Sequence, residues 1–135
     1  MDDAKCRALK AELAAQPDPP AVPIARFFDG NDDPGSIGCN LDPHPGIDAF
    51  RAVLVGLLGR PGVRAVYAQI SEADPGEGCW PFADTVLVVG DIAPAELRRS
   101  VSGLHPDEVG TADASGIPRS VGSLHGGPVH VIWWD

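Results

Sequence analysis

The run Thr85-Val86-Leu87-Val88-Val89 constrains the fold more than any other stretch of the chain. In an extended strand, successive side chains point to opposite faces. An unbroken β-branched and apolar run therefore belongs in the middle of a sheet. The tail Val129-His130-Val131-Ile132-Trp133-Trp134 is also apolar on both faces, except at His130. A sheet holding these two strands needs cover on its second face, and the first helix or another subunit is expected to supply it. A homodimer through the open sheet face is one form of that expectation.

Periodicity supplies the other elements. The spacing predicts a helix over 3–15, capped by Asp2 or Asp3, with Leu9 and Leu13 on one face. Pro17, Pro19 and Pro20 end it and stiffen a linker. Residues 22–28 read as the first main strand, with Pro23 at its start. A second helix is expected from about Pro45 to Leu58, where Ile47, Phe50, Leu54, Leu57 and Leu58 share a face. Gly59, Pro61 and Gly62 terminate it. Strands follow at 63–72 and 84–91, then a helix from Pro94 with Leu97, Val101 and Leu104 on one side. A long loop over 105–127 leads to a closing strand at 128–134.

The order is α followed by β-α-β-β-α-β. That predicts an α+β fold, a ferredoxin-like split βαβ sandwich preceded by an N-terminal helix, with strand order 4-1-3-2. Residues 1–20 form the helix and Pro-rich linker, and 21–135 a single α+β domain.

At 135 residues, with 10 Lys+Arg against 19 Asp+Glu, the chain carries a formal charge of −9. This acidity argues against a nucleic-acid partner, because phosphates are repelled. No apolar stretch approaches the ~20 residues of a membrane span. Residues 1–16 lack the apolar core of a signal peptide. Cys6, Cys39 and Cys79 have neither the count nor the spacing of a disulfide framework. A cytoplasmic protein is the expectation.

In a ferredoxin-like sandwich the connections 29–46, 73–83 and 105–127 would gather at one end. Long loops on a rigid scaffold are where function concentrates. Those loops also hold essentially the whole net charge, so a site for something positive is expected there: a metal ion, an amine or a basic protein surface. The candidate residues are Asp29, Asn31, Asp32, Asp33, Cys39, Asn40, His44, Trp80, Phe82 and Asp84.

Asp29, Asn31 and Asp33 match the first ligand positions of an EF-hand loop. Pro34 and Asn40, however, stand where glycine and a bidentate glutamate are required, so the run fits Asx-turns better. Cys39, His44, Cys79, His105 and His125 lack the paired spacing of a zinc site. A Cys–His nucleophilic pair would need Cys39 or Cys79 beside a loop histidine. No G-x-S-x-G, P-loop or G-x-G-x-x-G is present. Trp80 and Phe82 could anchor a partner or plug the end of the sheet. Trp133 and Trp134 point to opposite faces, so at least one is expected in the core.

The segments Phe27-Phe28-Asp29-Gly30-Asn31-Asp32-Asp33, Gly35-Ser36-Ile37-Gly38-Cys39-Asn40, Trp80-Pro81-Phe82-Ala83-Asp84-Thr85-Val86, Pro106-Asp107-Glu108-Val109 and Val131-Ile132-Trp133-Trp134-Asp135 resemble a family of small uncharacterised bacterial proteins. The resemblance covers most of residues 22–135. It implies a cytoplasmic bacterial protein and brings no activity, cofactor or catalytic residue. Two functions from different classes follow from the residues themselves. One is a non-catalytic binding module, immunity- or antitoxin-like, whose acidic loop end engages a basic protein partner. The other is a small enzyme or metal/ligand-binding protein using the carboxylate, Cys and His residues of the same loops.

Overall fold

The computed structural model describes residues 1–135. Helix α1, Asp3–Ala14, begins where the Asp2 carboxylate accepts the Lys5 N–H at 3.1 Å. Its buried face is Cys6, Leu9 and Leu13, the three-then-four spacing of one helical side. Strand β1, Ala21–Pro23, runs directly into α2, Ile24–Phe28. The strand expected over 22–28 is therefore only a stub. Ile24, Phe27 and Phe28 are all buried, and their i, i+3, i+4 spacing places them together on a helix but on opposite faces of a strand. Pro23 stands at the helix entrance, where a missing N–H costs nothing.

Helix α3, Ile47–Gly56, buries Phe50 and Leu54, and a 3-10 turn over Leu57–Gly59 adds Leu57. Strands β2, Val63–Glu72, and β3, Phe82–Gly90, pair antiparallel. Helix α4, Pro94–Val101, buries Leu97 and Val101. The expected loop 105–127 then holds two short elements, β4, Glu108–Thr111, and α5, Arg119–Gly122. Strand β5, Val129–Trp133, closes the sheet.

The result is an α+β protein around a five-stranded antiparallel sheet of order β1-β2-β3-β5-β4. This is not the expected order 4-1-3-2. A ferredoxin-like sheet needs a full-length first strand at its centre. Here β1 has three residues and lies on one edge, so β5 pairs directly with β3, and β4 forms the other edge. At the junction of β2 and β3, Gly62 and Gly90 have φ of 84° and 135°. A Cβ on Gly62 would collide with the Asp91 carbonyl, so the two strand ends can close this tightly only through glycine.

One sheet face carries the main core. Cys6, Leu9 and Leu13 of α1 pack in the same cluster as Phe27, Phe50, Leu97, Val86 and Val88. The opposite face carries Tyr67, Leu87, Val89 and Val129, covered by Val121, Ile117 and Ala112. Helix α1, one expected source of second-face cover, packs on the main core instead, and the chain's own segment 112–125 supplies cover there. That cover is partial. The transverse row Gln69, Thr85, Trp133 and Glu108, linked by strand register, lies outside it.

The second-face packing hangs on Val121, which is fully buried, whereas Leu124 three residues on is 71% exposed. Val121→Ala should lower stability by about 2 kcal/mol, from lost methyl burial plus a residual cavity. Leu124→Ala should change it by less than about 0.5 kcal/mol. Urea unfolding with unchanged m-values checks both.

Candidate functional site

Two of the three long connections meet at one end of the sheet. The Asp33 carboxylate accepts the Trp80 N–H at 3.1 Å, and Ile37 forms a parallel bridge with Ala83. The third does not stay with them. Asp107 is there, its N–H donating to the Trp133 carbonyl at 2.9 Å. Strand β4 then carries the chain along the sheet, and Ala112 pairs with Val129 while Arg64 holds the Gly126 carbonyl at the opposite end. Asp113 and Arg119 therefore leave the expected cluster.

The acidic run Asp29–Asp33 is mostly scaffolding. Asn31 is buried; its amide donates to the Phe27 carbonyl at 3.3 Å and Ser36 Oγ at 3.0 Å, and its Oδ1 accepts the Asp33 N–H at 2.9 Å. Asp33 Oδ1 accepts the Gly35 N–H at 2.9 Å while Oδ2 reaches Trp80. These are Asx-type bonds that fix a loop in place of repetitive structure. Asp29 and Asp32 serve α1: Lys5 Nζ lies 2.6 Å from Asp29 and the terminal amine 2.9 Å from Asp32. The hydrogen bond to Asp29 holds the Lys5 ammonium above its ordinary range. Lys10 reaches Asp74 at 3.1 Å in the neighbouring loop.

The other candidates diverge. His44 sits over Phe50, with Nε2 2.8 Å from the Ile37 carbonyl and Nδ1 accepting the Gly46 N–H at 2.9 Å. Both ring nitrogens are committed to backbone, so this imidazole has none free for Cys39, which is exposed. Asn40 donates to the Asp135 carbonyl at 3.0 Å. Trp80 is fully buried in the main core. Phe82 and Asp84 open β3, partly exposed, and the Thr85 hydroxyl donates to Asp84 at 2.9 Å.

The weaker metal combination is also dispersed. His125 Nε2 lies 2.7 Å from the Tyr67 hydroxyl on the second face, and His105 occupies a left-handed backbone position after α4. Burial raises the Tyr67 phenol. Cys79 contacts Cys6 through its carbonyl, at 3.6 Å. Burial likewise raises the Cys6 thiol. No three Asp, Glu, His or Cys side chains come together as a metal site.

Two of the concave surfaces bear on a binding role. A shallow cleft of about 600 Å³ between α2 and α3 is flanked by Arg26 and Arg51. Both guanidinium groups are occupied, Arg26 by Glu12 at 3.3 Å and Arg51 by Asp48 and the carbonyls of Phe28 and Asn31. The other, of about 400 Å³, lies on the uncovered part of the second sheet face, lined by Glu108, Gly110, Thr111, Val131 and Trp133. Trp134 points the other way, buried, with its indole N–H on the Leu104 carbonyl at 2.9 Å. The opposed tryptophans are legible in the sequence. The pairing of Glu108 with Trp133 is not, because β4 has only four residues and one large apolar side chain.

This architecture is that of a small α+β protein with a layer on each side of an antiparallel sheet. The family model of the Uncharacterized protein YfbO family matches residues 4–127, so the chain belongs to that family. It is 30% identical over 90 residues to the Uncharacterized protein YfbO of Escherichia coli (strain K12). That stretch is 66% of this chain and 63% of the relative, so the match spans less than two thirds of the relative's length. No solved structure matches the chain. No helix is long and apolar enough to cross a membrane.

Asp33 is the tie between the two loops. Asp33→Ala removes the turn cap, about 1 kcal/mol, and strips the Trp80 N–H of its partner, a further ~1–3 kcal/mol. Asp32→Ala, at a side chain 70% exposed, should cost less than about 1 kcal/mol. Thermal unfolding of the two variants side by side checks the difference.

Proposed function

We propose that the protein is a non-catalytic binding module of the cytoplasm, immunity- or antitoxin-like, whose acidic end engages a basic protein partner. The observation that carries this reading is an uneven matching of charge. On the α1 side, Asp29, Asp32 and Asp74 are paired with the chain's own cations. Around the ends of β3, β4 and β5, the carboxylates of Asp84, Asp107, Glu108 and Asp135 enter none of the ion pairs. Asp107 accepts only the Asp135 N–H and Asp84 only the Thr85 hydroxyl. Unmatched negative charge on rigid strand ends steers a positive partner and fixes its orientation. Three free thiols fit a reducing compartment.

The enzyme alternative draws less support. A nucleophile needs an adjacent base, and His44 and His125 are both committed to other groups.

The test is affinity capture from an extract of the host with the immobilised protein, read by mass spectrometry. Captured proteins should carry Lys/Arg-rich segments and elute as salt rises from about 0.1 M to about 0.5 M, where screening shortens to a few ångströms. Asp84→Lys together with Glu108→Lys should abolish the capture. Capture indifferent to both salt and charge reversal would overturn the proposal.

A further inference from the structure

We infer that the uncovered half of the second sheet face seats a lysine or arginine side chain of a basic peptide segment, between the Trp133 indole and the Glu108 carboxylate. The inference rests on the binding-module reading and names the place where its partner is read.

Three observations converge. The first is shape. Segment 112–125 covers the Tyr67, Leu87, Val89 and Val129 part of the face and leaves Trp133 lining a groove of about 400 Å³. Gly110 stands opposite Val131 in the register. With no side chain at that position, the trough stays open beside the indole.

The second is the order of side chains across the strands. Glu108 pairs with Trp133, Trp133 with Thr85, and Thr85 with Gln69. A carboxylate is therefore the direct cross-strand neighbour of an accessible aromatic. An aromatic face attracts a cation, and an adjacent carboxylate supplies a charge-assisted hydrogen bond to the same group. Apolar Val131 suits the methylene stem of a long basic side chain.

The third is charge. Glu108 has no ion-pair partner, and Asp107 next to it has none either. The chain's Arg98 approaches β4 on its other side, at the Val109 carbonyl. A second copy of this chain, itself at −9, would bring like charge to the groove. A cationic occupant is the complementary one.

Titration of the full-length protein with acetylated tetraarginine and tetralysine amides, with tetraglutamate as control, tests this. The three indole N–H signals in an NMR spectrum act as reporters. Tetraarginine should move the Trp133 signal and leave those of buried Trp80 and Trp134 in place. Glu108→Gln and Trp133→Leu should each weaken binding about 5- to 10-fold, between the exposed and the fully desolvated strength of one cation–π contact. Asp74→Asn, at a carboxylate paired with Lys10 of α1, should leave it unchanged. Glu108 is exposed on an edge strand, so Glu108→Gln stays informative even if Trp133→Leu fails to fold. Binding that survives Glu108→Gln but weakens in Asp74→Asn would overturn this placement and leave the basic-partner reading standing. Failure of every cationic peptide to bind at low salt would overturn both. A concentration-dependent dimer that buries Trp133 and excludes the peptides would show a second copy as the occupant and overturn the placement as well.

Discussion

Burial of β3 on both faces is the constraint from which the rest of the architecture follows. Val86 and Val88 point into the helical layer, and Leu87 and Val89 point the other way into a smaller cluster. A strand of this kind cannot lie at an edge or face water, since each fully exposed aliphatic side chain forgoes roughly 1.5–3 kcal/mol. It requires neighbours on both sides, which β2 and β5 supply, and a layer on each face. Four helices meet the demand on one face. On the other, a segment with one short helix meets it only in part, and that shortfall leaves Trp133 accessible.

The acidic surplus is shaped by the same economy of parts. Helix α1 presents Lys5 and Lys10 to Asp29 and Asp74, so part of the negative charge is internal matching. These pairs are exposed, and each is worth at most about 1 kcal/mol. The docking of α1 therefore comes mainly from Cys6, Leu9 and Leu13, which are nearly or fully buried in the main core. The ion pairs fix where along that core the helix settles. Among the carboxylates they leave without a cation are Asp84, Asp107, Glu108 and Asp135 at the strand ends of β3, β4 and β5.

The sequence discloses elements with long, regular patterns and hides those whose meaning is set by distant partners. Helices α1, α3 and α4 and strands β2, β3 and β5 fall where their periodicity places them. The stretch 22–28 misleads because Val22, Ile24 and Phe28 read as an apolar strand run, while Phe27 completes a helical face only when a core is present to receive it. Strand β4, Glu-Val-Gly-Thr, has no local signature at all; it is a strand because β5 has a free edge. The error in strand order follows from the first of these. Once 24–28 is a helix, no long first strand remains to separate β3 from β5. The run Asp29–Asp33 was legible as an Asx-turn loop, and its division into buried positions such as Asn31 and exposed ones such as Asp32 was not, because the loop is tied to the core by a contact with Trp80, 47 residues beyond Asp33.

That division bears on where recognition can reside. A loop residue whose polar atoms hold its own backbone has little left to offer a ligand, and Asn31, Asp33 and His44 are in that position. Freeing any of them for a partner would leave backbone groups unsatisfied, at roughly 1–3 kcal/mol apiece where they are buried. Trp133 and Glu108 carry no such obligation. Their backbones are satisfied by the β4–β5 ladder, their side chains make no hydrogen bond or ion pair within the protein, and the paired strands hold them at fixed spacing. Rigid strands beneath uncommitted side chains offer a preorganised surface, which lowers the entropy a partner must overcome on binding. The stretch that advertises itself most loudly in the sequence, Asp29 to Asp33, is thus largely invested in building the fold, and the uncommitted side chains of Trp133 and Glu108 lie on the second face of the sheet.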